Sequence, residues 1–270
     1  MNVLMLAESY LKDVSGLRFE WSLKITKNEI KPRPAVLFWI TNYNTLDNQF
    51  SRLHDLLSAL DCPKEIISQA KIQDSASLMQ GVMVSLNENA PQNTFYIHSS
   101  DVLNQNMERV GFKWKQKRLI EKITYNFFYF QNNNSFEYFI SIIHPALRDL
   151  AYELIKEPLL NKSGFYIQKT GEQISEAYIT YPWHPTFKNI STKLENQFLE
   201  IDASKFDVYK DHCFRHIGFG SSCSETPIIT VYFSARYKGN WPLVFESFQE
   251  IVKVEGEILN KELNNWVQSI

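Results

Sequence analysis

The sequence predicts an α+β fold: an antiparallel β-barrel of about ten strands, built from repeated helix–hairpin units and ringed by outer α-helices. Three observations predict it. Paired strands joined by turn residues recur about five times along the 270 residues, helical patterns separate the pairs, and most strands alternate apolar with polar residues. Sequential hairpins favour an antiparallel sheet with its helices on one side, and closing so long a sheet removes its edges. We expect one domain over residues 1–270.

Each predicted hairpin has turn residues between two runs that read as strands. The hairpins are LRFEWSLKITKNEIKPRPAVLFWI, turning at 27–29, LMQGVMVSLNENAPQNTFYIHSS, at 87–93, ITYNFFYFQNNNSFEYFISII, at 132–134, GFYIQKTGEQISEAYITYP, at Gly171, and FRHIGFGSSCSETPIITVYFSAR, at 221–226. Helical patterns occupy NQFSRLHDLLSAL with KEIISQAKI, a segment near 101–110, PALRDLAYELIKEPLL, HPTFKNISTKLENQFLEI and the closing residues 241–267.

The strand TPIITVYFSAR, residues 226–236, shows what the two faces of the sheet carry. Ile229, Val231 and Phe233 alternate with Thr230 and Tyr232, and Arg236 ends the polar row. Three other hairpins show the same alternation. If the apolar rows pack on helices, the polar rows share one interior, rich in Tyr, Thr and Ser, that is suited to binding. An open sheet with one solvated face remains the alternative, although such a face usually carries more Lys, Glu and Asp.

Composition excludes several classes of protein. Apolar residues make up 44% of the chain and aromatic residues 14%, enough for a large core, and the net charge of −2 argues against a general nucleic-acid binder. No apolar stretch has the length of a membrane span, and three scattered cysteines are typical of free thiols in a reducing compartment. We therefore expect a soluble cytoplasmic protein. The motifs GxxxxGK[ST], GxGxxG, GxSxG, HExxH and DDxxD do not occur.

Several side chains on the polar rows suit the chemistry of an isoprenyl diphosphate. The cations of Arg18, Lys24, His98 and Arg236 could bind a diphosphate directly, together with tyrosine hydroxyls. Tyrosine faces would stabilise an allylic cation and keep water away from it. Glu20, a lone inward carboxylate, could take the proton of an acceptor. The sequence has no dedicated ligand set for Mg²⁺, which could assist the diphosphate, and we expect no organic cofactor.

Four segments carry a resemblance to a known family. FEWSLKITKNEIKPRPAVLFW, MQGVMVSLNENAPQNTFYIHSS, YNFFYFQNNNSFEYFISI and HIGFGSSCSETPIITVYFS resemble hairpins of the ABBA-fold (prenyltransferase barrel) enzymes, most nearly the cyanobactin-type peptide prenyltransferases. Glu20, before Ser22-Leu23-Lys24, matches the position of that family's acceptor-activating Glu. Its diphosphate site is matched here by Lys24, His98 and Tyr232. This sequence has Tyr96 and His98 where relatives are richer in Lys and Arg.

The resemblance implies an enzyme, a prenyltransferase that moves a dimethylallyl or geranyl group from its diphosphate to a nucleophilic side chain of a peptide. An aromatic side chain is the first choice, and cyclic peptides are among the expected acceptors. The predicted site has Glu20 as catalytic base, Arg18, Lys24, His98, Arg236 and Tyr232 on the diphosphate, and Tyr96, Tyr166 and Tyr178 shielding the cation. Three alternatives remain open: a small-molecule aromatic or indole prenyltransferase, a non-catalytic ligand-binding barrel, and an α+β interaction module with an open sheet.

Overall fold

A computed structural model gives the structure of the chain and describes most of residues 17–236. The described residues are 17–40, 46–68, 78–85, 92–100, 107–130, 133–156, 164–181, 185–198, 200 and 203–236. The strands are β1 (Leu17–Ile25), β2 (Ile30–Ile40), β3 (Leu78–Ser85), β4 (Asn93–Ser100), β5 (Met107–Lys115), β6 (Arg118–Tyr129), β7 (Gly164–Thr170), β8 (Gln173–Thr180), β9 (Phe214–Gly220) and β10 (Ile229–Arg236). The described helices are α1 (Leu46–Ala59), α2 (Lys64–Ile67), α3 (Asn133–Ile142), α4 (Arg148–Lys156) and α5 (Lys188–Gln197), with 3-10 helices at Pro145–Leu147 and Ala203–Tyr209.

The ten strands belong to one sheet. Hydrogen-bonded neighbours follow the order β1-β10-β9-β8-β7-β6-β5-β4-β3-β2, and this order closes on itself, which is the connectivity of a barrel. The described registers are antiparallel, among them β3 with β4, β7 with β8 and β9 with β10. The predicted α+β class and the antiparallel sheet of ten strands are therefore confirmed.

Four of the five predicted hairpins are present with both strands: β1–β2, β3–β4, β7–β8 and β9–β10. The first turns at residues 26–29, where the Thr26 amide donates to the Glu29 carbonyl over 2.9 Å. In the β7–β8 turn Gly171 has φ +58°, a conformation that glycine adopts without steric cost. At Gly171 the residue type predicted the turn correctly because few other residue types favour that backbone conformation.

The third predicted hairpin is wrong. Its turn was expected at residues 132–134. Instead, β6 forms a hairpin with the preceding strand, β5, through a turn at Gln116 and Lys117, and α3 begins at Asn133. Gln116 and Lys117 have φ values of 49° and 61°, and a two-residue type I′ hairpin turn requires positive φ at both of its central residues. The run of Asn misled because Asn favours helix starts as well as turns. The helix expected near 101–110 is also wrong from Met107 onward, where β5 begins; residues 101–106 lie outside the described part.

Contacts between residues divide the chain into two compact units. The β7–β10 unit comprises Trp21–Arg33 and Tyr125–Ser234, and the β3–β5 unit comprises Met1–Glu20, Pro34–Thr124 and Ala235–Ile270. The expectation of one domain over residues 1–270 stays a prediction.

The β7–β10 unit has a core of aromatic rings on the apolar face of its strands. The fully or almost fully buried residues of this face include Phe165, Ile167, Ala177, Ile179, Ile217, Phe219, Ile229, Val231 and Phe233. Phe139 of α3 packs on Phe165 and Phe219, with ring centroids 5.1 and 5.9 Å apart. Phe187, directly before α5, packs on Phe233 at 5.7 Å. Within this unit the apolar rows thus pack on helical segments, as the alternation predicted.

The β3–β5 unit follows the same pattern. Val82, Phe95 and Trp114 are completely buried, and so are Leu56 and Leu57 of α1. The indole Nε1 of Trp114 donates a hydrogen bond to the Leu60 carbonyl over 3.0 Å, just after α1 ends. This bond satisfies the polar atom of a buried indole and attaches the end of the helix to β5.

The three cysteines are free thiols with different surroundings. Cys62 is buried, and this burial, together with the nearby Glu65 carboxylate, raises the pKa of its thiol to about 12. Cys213 and Cys223 are exposed. Because the thiolate is the reactive form, Cys62 should be almost inert near pH 8.

We expect a thiol reagent at pH 8 to modify two cysteines of the native protein quickly and the third only after denaturation. An Ellman titration with and without guanidinium measures this. Cys213→Ser and Cys223→Ser should each lower the native count by one. A native chain in which all three thiols react at the same rate would contradict the burial of Cys62.

Candidate functional site

The polar face of the β7–β10 unit carries a cluster of rings from five strands. This tyrosine cluster consists of Tyr125 (β6), Tyr166 (β7), Tyr178 (β8), His216 (β9) and Tyr232 (β10). Tyr178 is central: its ring centroid lies 5.5 Å from that of Tyr166, 5.8 Å from those of His216 and Tyr232, and 6.2 Å from that of Tyr125. The register brings the rings together, since Tyr166 pairs with Tyr178 and Tyr232 with His216.

This part of the polar face is enclosed. Tyr125 and Tyr178 are each 4% exposed, and Thr230, on the same row as Tyr232, is 3% exposed. Tyr166, His216 and Tyr232 retain partial exposure. The centre of this face is therefore covered by neighbouring side chains, whereas its outer rings are partly accessible to solvent. Partly exposed rings around a buried one leave surface for a ligand to contact.

A carboxylate joins the tyrosine cluster. Glu176 of β8 accepts a hydrogen bond at Oε2 from the Tyr232 hydroxyl over 2.8 Å. To reach β10 its side chain crosses β9 diagonally, because Glu176 itself pairs with Gly220 and Tyr232 pairs with His216. A Cβ atom on Gly218 would overlap Glu176 Oε1 and would lie 2.7 Å from its carboxyl carbon. Glycine at 218 is therefore what lets the carboxylate lie across β9.

The hydroxyl of Tyr232 is held in its protonated form. Burial raises the pKa of Tyr232 well above its ordinary value, the Glu176 carboxylate raises it further, and the Arg33 guanidinium lowers it. At neutral pH the phenol is thus a hydrogen-bond donor, and its proton points to Glu176. On the same face, Thr180 Oγ1 and His216 Nδ1 are 2.9 Å apart and share a hydrogen bond.

Positive charge reaches this face from the β1–β2 hairpin. Arg33 of β2 donates from Nε to the hydroxyl of Ser22 over 3.3 Å, and its charge acts on Tyr232. Ser22 is 7% exposed, and Lys24, two residues further along β1 and so on the same face, is partly exposed. The β1–β2 hairpin, which is the neighbour of β10 in the sheet, therefore carries a guanidinium, a hydroxyl and an ammonium, groups that bind phosphate oxygens.

The structure places the predicted site residues unevenly. Tyr166, Tyr178 and Tyr232 come together in the tyrosine cluster, and Lys24 lies on the hairpin that carries Arg33. For four residues the strand position is described and the side chain lies outside the described part: Arg18 and Glu20 on β1, His98 on β4 and Arg236 on β10. Their roles remain predictions.

Tyr96 belongs to the β3–β5 unit. It pairs with Gly81 on one side and Gly111 on the other, and a Cβ on Gly111 would lie 3.1 Å from its ring. The Arg109 guanidinium lies 5.1 Å from the ring centroid of Tyr96, and the Tyr96 hydroxyl is 3.8 Å from Met83 Sδ. A cation thus already lies against this ring, in the arrangement of a cation–π contact. Whether Tyr96 shields a prenyl cation stays a prediction.

Sequence reasoning noted Glu176 on a polar row without assigning it to the site, and it did not single out Arg33, Tyr125 or His216. A signal for Arg33 exists in the sequence: it stands between two prolines on a strand and carries a charge opposite the polar row of β1. Tyr125 and the strand after it were assigned to a hairpin with the wrong turn, which obscured which face they occupy. The link from Glu176 to Tyr232 spans 56 residues and has no local signal.

The described residues contain no group of three or more His, Cys, Asp or Glu side chains arranged to hold a metal ion. None of the described helices has the length and apolar character that crossing a membrane requires.

Comparisons with known proteins add no family assignment: no protein-family model matches the chain, and no curated protein matches it.

Proposed function

We propose that this chain is an ABBA-type prenyltransferase that moves a dimethylallyl or geranyl group from its diphosphate to a nucleophilic side chain of a peptide. One observation carries the proposal: an enclosed tyrosine cluster has a carboxylate, Glu176, within it and cations, Arg33 and Lys24, on the neighbouring hairpin. Aromatic faces, a negative group and an anion-binding edge are the three things that transfer of an allylic cation needs.

The chemistry begins when the bond between the allylic carbon and the diphosphate oxygen breaks. Cations stabilise the leaving diphosphate, and Arg33 and Lys24 supply positive charge beside the polar face, in addition to the predicted Arg18, His98 and Arg236. The rings of Tyr166, Tyr178 and Tyr232 stabilise the allylic cation and exclude water, which would otherwise capture it. The acceptor then forms a bond to the prenyl carbon and releases a proton, and Glu20 is the base assigned by the resemblance.

The direct test is incubation of the purified chain with dimethylallyl or geranyl diphosphate and a pool of linear and cyclic peptides, followed by mass spectrometry. We expect one peptide class to gain the mass of one isoprenyl group. Reactions with free tyrosine, free tryptophan and simple indoles test the small-molecule alternative. Parallel reactions with Mg²⁺ and with EDTA measure metal dependence. A chain that binds the diphosphate and yields no product with any acceptor is a ligand-binding barrel, and the proposal is then wrong.

Arg33→Ala should weaken binding of the donor diphosphate about tenfold. A charge-assisted hydrogen bond contributes about 1.5–3 kcal/mol, and the exposure of Arg33 places the effect at the lower end, since solvent screens its charge. Calorimetry with a non-hydrolysable donor analogue measures the change in affinity.

The matched control for this prediction is Lys27→Ala. Lys27 lies in the turn of the same hairpin and forms an exposed ion pair with Glu200, Nζ to Oε1 3.2 Å. Its removal takes away one positive charge from the hairpin and should leave donor affinity unchanged. Equal losses in both variants would mean that only the overall charge matters, and Arg33 would not be a donor ligand.

A further inference from the structure

We propose that Glu176 is a second proton acceptor of the site, held in place by Tyr232 and given room by Gly218. This inference rests on the proposed prenyl transfer. It names a carboxylate that neither the sequence reasoning nor the resemblance assigned to the site.

The two oxygens of the Glu176 carboxylate have different surroundings. Oε2 of Glu176 accepts the hydrogen bond of Tyr232, and that hydroxyl stays protonated, so this oxygen is occupied by a steady donor. Oε1, the other oxygen, lies over Gly218. A carboxylate oxygen has more than one lone pair, so Oε1 can accept a proton while Oε2 keeps its bond.

A substrate can approach the carboxylate of Glu176 through the exposed part of its side chain. Glu176 and Tyr232 are both partly exposed, whereas Tyr178, whose ring contacts that of Tyr232, is 4% exposed. A substrate that contacts the exposed parts of the tyrosine cluster would therefore come within reach of the carboxylate. The charged and titratable groups described around the Glu176–Tyr232 pair are Tyr125 from β6, Tyr178 from β8, His216 from β9 and Arg33 from β2.

Prenyl transfer with Glu176 as the base balances in bonds, electrons and protons. The nucleophilic atom of the acceptor forms a bond to the prenyl carbon with its own electron pair. The bond from that carbon to the diphosphate oxygen breaks, and diphosphate leaves with the bonding electrons. The acceptor loses one proton in each turnover, and Glu176 Oε1 takes it, in place of Glu20, when the nucleophilic atom of the acceptor lies at the tyrosine cluster. No oxidant, reductant or further reactant is needed, and the proton leaves to solvent when the products are released.

Gly218 is a positioning residue for the carboxylate of Glu176. A side chain there would overlap the carboxyl group of Glu176 and would displace it from its position across β9, where it accepts the hydrogen bond of Tyr232. Gly218→Ala should therefore lower the transfer rate in the same direction as a change at Glu176 itself, with the donor KM unchanged.

The test measures steady-state transfer in Glu176→Gln, which keeps the size of the side chain and an oxygen that accepts from Tyr232 but removes the base. We expect kcat to fall about 10²-fold, the lower end of what general-base assistance contributes, while donor KM and the midpoint of thermal unfolding stay the same. The matched control is Glu172→Gln, an exposed carboxylate in the turn of the same β7–β8 hairpin, which should keep full activity.

Glu176→Asp separates a base from a merely structural carboxylate. It shortens the side chain and keeps the carboxylate, so it should retain more activity than Glu176→Gln. Full activity in Glu176→Gln, or equal losses in the Gln and Asp variants, would overturn the role of Glu176 while prenyl transfer itself stands. A wild-type chain that transfers no prenyl group to any acceptor would overturn both proposals together.

Discussion

Replacing Glu20 by Gln is expected to lower the rate of prenyl transfer about 10²–10⁴-fold and to leave donor affinity unchanged. Gln has the size and polarity of Glu but cannot take the proton that the acceptor loses. Glu20 lies on β1, one residue before the part of that strand that belongs to the β7–β10 unit. Single-turnover kinetics with saturating donor measure the transfer step, and calorimetry with a donor analogue measures binding.

Glu29→Gln is the matched control for Glu20→Gln. Glu29 is an exposed carboxylate at the turn of the same β1–β2 hairpin, where its backbone carbonyl makes the turn hydrogen bond. The Glu29→Gln variant should transfer the prenyl group at the wild-type rate. If Glu20→Gln weakens donor binding or lowers stability together with the rate, Glu20 is a structural partner of Arg18 or Lys24. If it transfers at full rate, Glu20 has no catalytic role.

Phe165→Ala is expected to lower the free energy of unfolding by about 3–5 kcal/mol, whatever the function of the chain. Phe165 is completely buried, and its ring lies 5.3 Å from that of Phe128, 5.0 Å from that of Phe130 and 5.1 Å from that of Phe139. Truncation removes these contacts and leaves a cavity that the rigid strand cannot fill. Chemical denaturation followed by tryptophan fluorescence and circular dichroism measures the loss.

The control for Phe165→Ala is Leu119→Ala on β6. Leu119 is 44% exposed, so its truncation should change the free energy of unfolding by no more than about 0.5 kcal/mol. Similar losses in the two variants would mean that the ring packing between β7 and α3 does not form in solution. The apolar face of β7–β10 would then need another partner.

Local patterns predicted β7, β8, β9 and β10 because each strand alternates over a stretch bounded by strong turn residues. Phe165, Ile179 and Val231 are buried as their rows require, and Tyr178 lies on the opposite face. The pattern failed for FEYFISI, which is too short and too apolar to distinguish a strand from a buried helix. In α3, Phe139 and Ile142 are buried with the spacing of a helix turn.

The site was predictable only in part, for a related reason. Tyr166, Tyr178 and Tyr232 could be placed on one face from alternation alone, since residues two apart in a strand share a face. Which of them touch depends on the register of three strand pairs, and a shift of one residue would send each side chain to the other face. The position of Arg33 likewise depends on its hydrogen bond to Ser22, which lies eleven residues earlier on the neighbouring strand.

The sequence by itself determined the class of the fold, four of its hairpins and the presence of a tyrosine-rich polar face, because all of these follow from contacts between residues near one another in the chain. Only the tertiary structure decided that Glu176 meets Tyr232. That contact joins β8 to β10 across an intervening strand, and it exists because register places Gly218, which has no side chain, under the path of the carboxylate.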